Sequence, residues 1–338
     1  MEPGAAIGRK WFRPMIYLFY PEVNLTGLIL GGTILSLVLT FVLLKFCSNL
    51  LPRDAGRVYA HEGALSAGKP RGAGLVFILV FIAVTLLFLP LDLERLINLV
   101  LLLAAMVTGY LDDKARHPWG DLKKGLLDLG LSLGVALNVF IARGSTIMLP
   151  FSQNTADLPS VVFILLASLL VWVSINVTNC TDGVDGLSGT LVLITLATIA
   201  LAAGNYQATL FGESSWIYLL AGTLVAYLWF NATPSLLIMG DAGSRALGLF
   251  ISIVVLQTGQ PLLYIPAAAL LIIDGGPGLV KVSLLRFLKI HIMKNIRTPI
   301  HDHVRKNLGW SNTQTVFRFA LIQLVISFIL LAALRLIG

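Results

Sequence analysis

The amino-acid sequence predicts an all-α, polytopic membrane protein with ten transmembrane helices, the ninth of which is broken or bent. Of its 338 residues, 57% are hydrophobic and only 12% are charged, whereas a soluble domain carries about 25% charged residues. Apolar segments close to the roughly 20 residues that cross a bilayer recur along the whole chain. Because lipid cannot satisfy backbone hydrogen bonds, such segments are expected to form helices.

The apolar runs delimit the spans. The ten predicted spans are residues 25–46, 73–90, 96–111, 125–142, 160–176, 187–203, 216–231, 246–258, 261–282 and 314–336. The ninth is interrupted by the segment Asp274-Gly275-Gly276-Pro277-Gly278, whose helix-weakening residues predict a break or a strong bend at that point. We expect residues 1–338 to form one membrane domain, with residues 1–23 as an interfacial N-terminal segment.

The distribution of Lys and Arg predicts the orientation of the chain. The loops after odd-numbered spans carry most of these residues: Arg53, Arg57, Lys69, Arg71, Lys114, Arg116, Lys123, Lys124, Arg245, Arg286, Lys289, Lys294, Arg297, Arg305 and Lys306. Fewer lie on the opposite side: Arg9, Lys10, Arg13, Arg95, Arg143 and Arg335. Because basic loops stay in the cytoplasm, both termini are predicted outside and every acidic motif inside.

The aspartates at the ends of the spans are the main candidates for a functional site. Asp112-Asp113, Asp182, Asp185 and Asp241 each follow an apolar run and stand near Gly, Asn or Thr. A carboxylate within reach of the bilayer is costly, so its default interpretation is a functional one. Several such groups on one membrane face would suit divalent-metal and phosphate chemistry at the lipid surface.

The pair Asp112-Asp113 ends the third span. Adjacent carboxylates point in different directions from a helix end, so one can bind a metal while the other meets a substrate as a base. The alternative is a solvated helix terminus, although the helix dipole disfavours negative charge at this end. Lys123 and Lys124 follow ten residues later and can either receive phosphate oxygens or simply set the topology.

A polar segment, Asn176–Gly186, leaves the fifth span. The amides and carboxylates of Asn176, Asn179, Asp182 and Asp185 can read the donor and acceptor edges of a base or ribose, and the glycines permit close backbone approach. No Glu follows at the position that an EF-hand calcium loop requires, which excludes that motif. The alternative is a polar turn between two helices.

The link between the seventh and eighth spans contains Asn231 and Asp241. Asp241 stands between two glycines just before a predicted helix, where it can act as a metal carboxylate or as a helix N-cap. Backbone N–H groups at such a position can also meet phosphate.

Two basic loops complete the candidates. His301 and His303 lie in the most basic loop, Arg286–Lys306, without the Cys or HExxH partners of a zinc site. They favour phosphate or sugar recognition, with binding of the loop to anionic lipid as the alternative. Lys69 lies in Gly68–Gly74, whose glycines indicate helix packing rather than a P-loop, and it can reach a substrate phosphate.

Five motifs occur in the order seen in the polyprenyl-phosphate N-acetylhexosamine-1-phosphate transferases. They are Asp112-Asp113, Asn179–Gly186, Met239–Ser244, Pro299–His303 and Gly309-Trp310-Ser311. Over about residues 50–335 the chain most resembles the bacterial phospho-N-acetylmuramoyl-pentapeptide-transferases. Each motif alone is weak, but five in order at span boundaries are specific.

The resemblance implies a ten-helix, commonly dimeric enzyme of the bacterial inner membrane, with a cytoplasm-facing cleft and a Mg²⁺ requirement. The implied reaction transfers phospho-MurNAc-pentapeptide from UDP-MurNAc-pentapeptide to undecaprenyl phosphate, giving lipid I and UMP in peptidoglycan biosynthesis. The implied partners are these substrates, membrane lipids and a second copy of the chain, without nucleic acid. A bend at Asp274–Gly278 is expected to open a groove for the polyprenyl chain.

The resemblance also implies roles for single residues. The implied metal ligands are Asp241 and Asp112, and the implied catalytic residues are Asp112, Asp113, Asp241 and His301. The loop that meets the nucleotide is matched by Asn179, Asp182 and Asp185. Together, the residue patterns and the resemblance predict these substrate-binding residues: Lys69, Lys123, Lys124, Asn176, Asn179, Asp182, Asp185, Asn231 and His303.

Two residues depart from the family pattern. Asp302 interrupts what are usually three successive histidines, and Ile238 replaces a Phe that offers its ring to uracil. Both leave open a UDP-GlcNAc:polyprenyl-phosphate GlcNAc-1-phosphate transferase. A secondary transporter is the alternative from another class, but transporter sites lie near the bilayer midplane and usually come with internal repeats.

Overall fold

The computed structural model of the protein describes residues 13–18, 24–56, 66–115, 117, 119–152, 154–203, 215–293 and 295–337. These residues are mostly helical. They form α1 (Leu25–Cys47), α2 (Gly74–Phe88), α3 (Leu93–Lys114), α4 (Asp121–Arg143), α5 (Ser160–Thr181), α6 (Leu187–Ala202), α7 (Ser215–Asn231), α8 (Gly240–Gln257), α9 (Tyr264–Ala267), α10 (Ala269–Ser283), α11 (Ile300–Leu308) and α12 (Asn312–Ile337). A two-stranded hairpin, β1 (Thr146–Met148) with β2 (Thr155–Asp157), joins α4 to α5.

Part of the sequence prediction falls outside the described residues. The predicted interfacial segment 1–23 is described only at residues 13–18, which include a single 3₁₀ turn, Met15–Leu18. The basic residues Arg9, Lys10, Arg57, Arg116 and Lys294 also lie outside.

A helix lies at the place of each predicted span. By length and composition, five of the described helices can cross a membrane, and the bent pair α9–α10 would make a sixth. The helices α2, α6 and α7 are apolar but shorter, with 15 to 17 residues. The chain is therefore a multi-pass helical membrane protein, and the number of ten spans stays a prediction.

Helix α8 forms the centre of the bundle. All of its 18 residues are buried, and it packs against α2, α3 and α5. It begins at Gly240, six residues before the predicted start of the eighth span at 246. The sequence prediction began too late because this first turn is polar, although it is buried between neighbouring helices. At Gly109 of α3, a Cβ atom would overlap the backbone of Asp241, and at Gly248 it would lie 2.5 Å from the carbonyl oxygen of Ser174.

The ninth span is bent, as predicted, but not where the sequence indicated. The axes of Pro261–Ala267 and Ala269–Arg286 differ by 91°, so the break lies at Ala268. The segment Asp274–Gly278, where the break was predicted, is helical within α10. A Cβ atom on Gly275 would lie 2.7 Å from the carbonyl oxygen of Val177 in α5, so this glycine permits close helix packing. The prediction that a bend at Asp274–Gly278 opens a groove for the polyprenyl chain is therefore wrong.

A side chain of the last helix explains the position of the break. Gln323 of α12 accepts a hydrogen bond from the backbone N–H of Leu270 at 2.9 Å. Its amide nitrogen donates to the carbonyl oxygens of Pro266 and Ala267 at 3.1 and 3.0 Å. Backbone groups freed by a break at membrane depth must find such partners. A contact between residues more than fifty positions apart therefore decides where the helix breaks.

Candidate functional site

Segments that are distant in sequence meet at one end of the helix bundle. The loop before α2 lies along the loop before α8, since the N–H of Ile238 donates to the carbonyl of Pro70 at 2.8 Å and the N–H of Ala73 donates back to Ile238 at 3.0 Å. The C-terminal end of α3 and the first turns of α4 and α8 contribute charged side chains to the same place. These contacts bring Asp112, Asp113 and Asp241 together.

Asp113 joins α3 to the first turn of α8. Its side chain is fully buried, and its two oxygens accept hydrogen bonds from the backbone N–H groups of Asp241 at 3.0 Å and Ala242 at 3.1 Å. The Nε of Arg71 donates to the same carboxylate at 2.7 Å. Asp113 thus satisfies two of the N–H groups that a helix N-terminus leaves without partners, and it fixes the backbone of Asp241.

Arg71 links three carboxylates. Its Nη1 lies 2.8 Å from Asp54, its Nε lies 2.7 Å from Asp113, and its Nη2 lies 3.4 Å from Asp241. Burial alone would lower the pKa of Arg71, but the negative charges of Asp113 and Asp241, with the hydrogen bonds to Asp54 and Asp113, raise it well above its ordinary value. This guanidinium therefore remains cationic and holds the carboxylates together.

Asp112 and Asp241 converge on a single cationic group. The Nζ of Lys124 lies 2.5 Å from Asp112 Oδ2 and 3.0 Å from Asp241 Oδ2. The other oxygen of Asp112 accepts a hydrogen bond from the backbone N–H of Trp119 at 2.6 Å. The two carboxylates therefore present oxygen atoms to a common position beside the first turn of α4.

This donor set fits a magnesium ion. Four carboxylates, of Asp54, Asp112, Asp113 and Asp241, face two cationic side chains, and four minus two leaves an excess of two negative charges. Mg²⁺ is commonly held by one or two carboxylates, with water and substrate phosphates as the remaining ligands. Within the described ranges, no group of three or more His, Cys, Asp or Glu side chains is arranged to hold a metal ion alone. Asp112 and Asp241 could therefore supply two of the ligands of such an ion, and other groups would have to supply the rest.

A second polar group surrounds Lys69. Its Nζ donates to the hydroxyl of Ser235 at 2.9 Å and lies 3.7 Å from Asp185 Oδ2. Asp185 in turn accepts a hydrogen bond from the backbone N–H of Ser235 at 3.0 Å. Lys69 and Asp185 are each partly exposed, so these side chains can meet a ligand from solution.

The three asparagines have partners within the protein. Asn231 accepts from the N–H of Gly186 and donates to the carbonyl of Leu237, both at 2.9 Å, so its amide ties the two loops together. Asn179 donates to the hydroxyl of Ser244 in α8 at 2.9 Å. Asn176 donates at 2.8 Å to the carbonyl one turn earlier in its own helix. Asn231 thus joins two loops and Asn179 joins α5 to α8, whereas the bond of Asn176 lies within α5.

His301 lies next to the Asp182-Gly183 turn. The backbone N–H of His301 donates to Asp274 Oδ1, and its Nδ1 lies against Asp274 Oδ2, both at 2.7 Å. The other side of the ring is so close to Gly183 that a Cβ atom there would overlap Nε2. His301 lies in the first turn of α11 and not in a loop as predicted, and it therefore brings the start of α11 next to the polar segment after α5.

Three predicted site residues lie at the edges of this arrangement. Asp182 directly follows the last residue of α5 and is buried. Lys123 is exposed and stacks on the ring of Trp119, 3.3 Å from its centroid. His303 accepts a hydrogen bond from the backbone N–H of Arg297 through Nδ1 at 3.3 Å.

Three residues of the site were not among the predicted site residues. Arg71 was assigned to membrane topology, Asp54 was not singled out, and Asp274 was interpreted as part of a helix break. A signal existed for Arg71, since it lies within the glycine-rich segment Gly68–Gly74 before α2, whereas nothing in the sequence singles out Asp54. For Asp274 the signal was a carboxylate within an apolar span.

Comparisons with known proteins show which family this sequence resembles. The sequence profile of the family described as "Glycosyl transferase family 4" matches residues 96–259. A phospho-N-acetylmuramoyl-pentapeptide-transferase of Treponema pallidum subsp. pallidum is 38% identical over 312 residues, covering 87% of this chain and 86% of the relative. Proteins of the same name from Clostridium botulinum and Brachyspira hyodysenteriae are 30% and 27% identical, over 78% and 83% of this chain and 82% and 86% of the relatives.

Proposed function

The chain belongs to the phospho-N-acetylmuramoyl-pentapeptide-transferase family, and we propose that the charged end of its bundle carries out the corresponding transfer. The donor is UDP-MurNAc-pentapeptide, the acceptor is undecaprenyl phosphate, and the products are lipid I and UMP. The product serves peptidoglycan synthesis, and hence cell shape and division.

The observation that carries this proposal is the meeting of Asp112, Asp113 and Asp241 with Arg71 and Lys124 at one end of the bundle. The acceptor lies in the bilayer with its phosphate at the surface, whereas the nucleotide donor arrives from water. A charged site at the end of membrane helices can hold both, which converts a rare encounter into a positioned attack.

The proposed metal is Mg²⁺, held by Asp241 and Asp112. Bound there, it would neutralise the diphosphate of the donor and stabilise UMP as the leaving group. Arg71 and Lys124 supply further positive charge toward phosphate oxygens. Asp113 has a different role, because its oxygens already accept three hydrogen bonds. It holds Asp241 in place, which leaves Asp112, when it is not bound to the metal, as the carboxylate that can take a proton from the acceptor phosphate.

In the preferred route, an oxygen of the acceptor phosphate attacks the β-phosphorus of the donor. A new P–O bond forms there, the bond between the β-phosphorus and the bridging oxygen breaks, and UMP leaves. A covalent phospho-Asp intermediate is the alternative route. Exchange of labelled UMP into the donor in the absence of acceptor would exclude simple direct transfer.

The second polar group is proposed to bind the nucleotide. Lys69 and Asp185 are partly exposed and carry opposite charges 3.7 Å apart, which suits recognition of phosphate and of ribose or base hydroxyl and amide groups. His301, beside the Asp182-Gly183 turn, is proposed to meet the sugar-phosphate part of the donor.

Location and assembly are proposals of the same kind. We expect a bacterial cytoplasmic membrane, with the charged end of the bundle facing the cytoplasm, because the loops at this end carry most of the Lys and Arg. We also expect a homodimer, in keeping with the family.

The nature of the donor sugar is tested directly. Asp302 and Ile238 depart from the expected family pattern, which keeps a GlcNAc-1-phosphate transferase as the second candidate. Purified full-length protein should release UMP from UDP-MurNAc-pentapeptide and undecaprenyl phosphate only when Mg²⁺ is present. UMP release with UDP-GlcNAc alone would select the second candidate. Ion-coupled uptake into proteoliposomes, without UMP release from either donor, would refute an enzyme and favour a transporter.

A further inference from the structure

The buried carboxylate of Asp274 contacts His301 and has no role yet in the proposed transfer. Asp274 is fully buried and His301 is nearly so. One oxygen of Asp274 accepts the backbone N–H of His301, and the other lies 2.7 Å from the Nδ1 of the ring. Both contacts join the same two residues, so α10 determines the position of the backbone and of the ring at the start of α11.

The contact defines which ring nitrogen carries a proton. A carboxylate only accepts hydrogen bonds, so Nδ1 must donate to Asp274. The other nitrogen, Nε2, is then unprotonated in the neutral ring and can accept a hydrogen bond. It lies 3.9 Å from Asp302 Oδ1, which is beyond hydrogen-bond distance.

The second nitrogen faces the polar segment after α5. A Cβ atom at Gly183 would overlap Nε2, so only glycine leaves room for the ring beside Asp182. The ring is thus fixed on one side by Asp274 and is confined on the other by this turn.

We propose that Asp274 is a positioning residue, which holds His301 protonated at Nδ1 and so presents the unprotonated Nε2 as an acceptor for a hydroxyl group of the donor at the Asp182-Gly183 turn. This inference rests on the proposed function for the identity of the donor. Partners of this kind, which orient a functional histidine from behind, change activity by about 10- to 100-fold in metal sites when they are replaced.

The substitution Asp274→Asn tests the proposal with little change in shape. The amide oxygen of Asn can still accept the backbone N–H of His301, but its NH₂ group would donate to Nδ1. The proton of the neutral ring would then move to Nε2. In full-length protein labelled with ¹⁵N-histidine, we expect the His301 signal to change from Nδ1–H to Nε2–H. The signal is identified by its loss in His301→Gln, among only five histidines.

Turnover provides the second readout. In Asp274→Asn, we expect kcat for UMP release to fall by about 10- to 100-fold, with the KM for undecaprenyl phosphate unchanged. In protein that already carries His301→Gln, adding Asp274→Asn should lower kcat by a further factor of less than about two. A residue that acts only through His301 has no effect once His301 is replaced. If Asp274→Asn lowered kcat by the same factor in wild-type protein and in His301→Gln, the proposal would be overturned. Asp274 would then act through packing and not through His301.

Asp92→Asn is the matched control. Asp92 is also buried and accepts a backbone N–H, that of Arg95, but it lies at the opposite end of α3 from Asp112. It should leave kcat and the histidine spectrum unchanged. A His301 ring protonated at the same nitrogen in wild type and Asp274→Asn would also overturn the proposal. If the wild-type protein releases no UMP, the proposed function fails, while the histidine spectrum still decides the role of Asp274.

Discussion

Replacing Asp113 by Asn tests whether this carboxylate holds the first turn of α8. Its Oδ1 accepts from Arg71 and from the N–H of Asp241, and its Oδ2 accepts from the N–H of Ala242. An Asn side chain can keep the first two contacts through its oxygen, but its NH₂ group then faces the N–H of Ala242. Hydrogen bonds to a charged group contribute about 1.5–3 kcal/mol each, so losing one and weakening two should cost about 3 kcal/mol of unfolding free energy.

The neighbouring substitution Asp112→Asn is the internal control. Asn at this position keeps the hydrogen bond from Trp119 and loses only the contact with Lys124, which is partly exposed and still paired with Asp241. Its cost should be about 1 kcal/mol, as for an ion pair near the surface. Reversible unfolding in mixed detergent micelles compares the two variants. Equal stability losses would refute the assignment of Asp113 to the helix end.

Three further predictions concern other parts of the structure. Lys124→Met should lower kcat for UMP release by at least tenfold, because it removes the positive charge between the carboxylates of Asp112 and Asp241. The fold should stay intact. Gly109→Ala should abolish most turnover, since its Cβ would displace the backbone of Asp241. Gln323→Leu should lower the unfolding free energy by about 2–4 kcal/mol, because it frees the N–H of Leu270 and two carbonyls at the helix break.

Each of these predictions has a clear contrary result. Unchanged kcat in Lys124→Met would remove this lysine from the site. Normal turnover in Gly109→Ala would mean that the first turn of α8 tolerates displacement, and Gly130→Ala, which meets no atom within 4 Å, is the matched control. Wild-type stability in Gln323→Leu would place the cause of the bend elsewhere in α9–α10.

The sequence gives the helices with good accuracy because long apolar runs have few alternatives in lipid. The helices α1, α5 and α12 begin within two residues of the predicted spans. The predicted start of α8 was less accurate. Its first turn contains Gly240 and Asp241, so it does not read as apolar in the sequence although it is buried in the structure. The bend of the ninth span was expected at Asp274–Gly278. It lies at Ala268 instead, where Gln323 bonds to the backbone of the adjacent residues.

For the site too, the sequence predicts the residues and the structure decides their roles. Sequence patterns single out Asp112, Asp113 and Asp241, because charged residues near a bilayer are costly without a function. They do not distinguish the roles of the two adjacent aspartates. Only the packing of α3 against α8 decides that Asp113 accepts backbone N–H groups while Asp112 meets Lys124.

The sequence by itself therefore determined the membrane class, the approximate helices, the aspartate motifs and the family resemblance, because composition and residue order carry that information locally. The tertiary structure alone decided which charges meet, where the ninth span bends and which partners surround Arg71 and His301. Those features depend on contacts between residues far apart in the chain, and such contacts leave no regular pattern along the sequence.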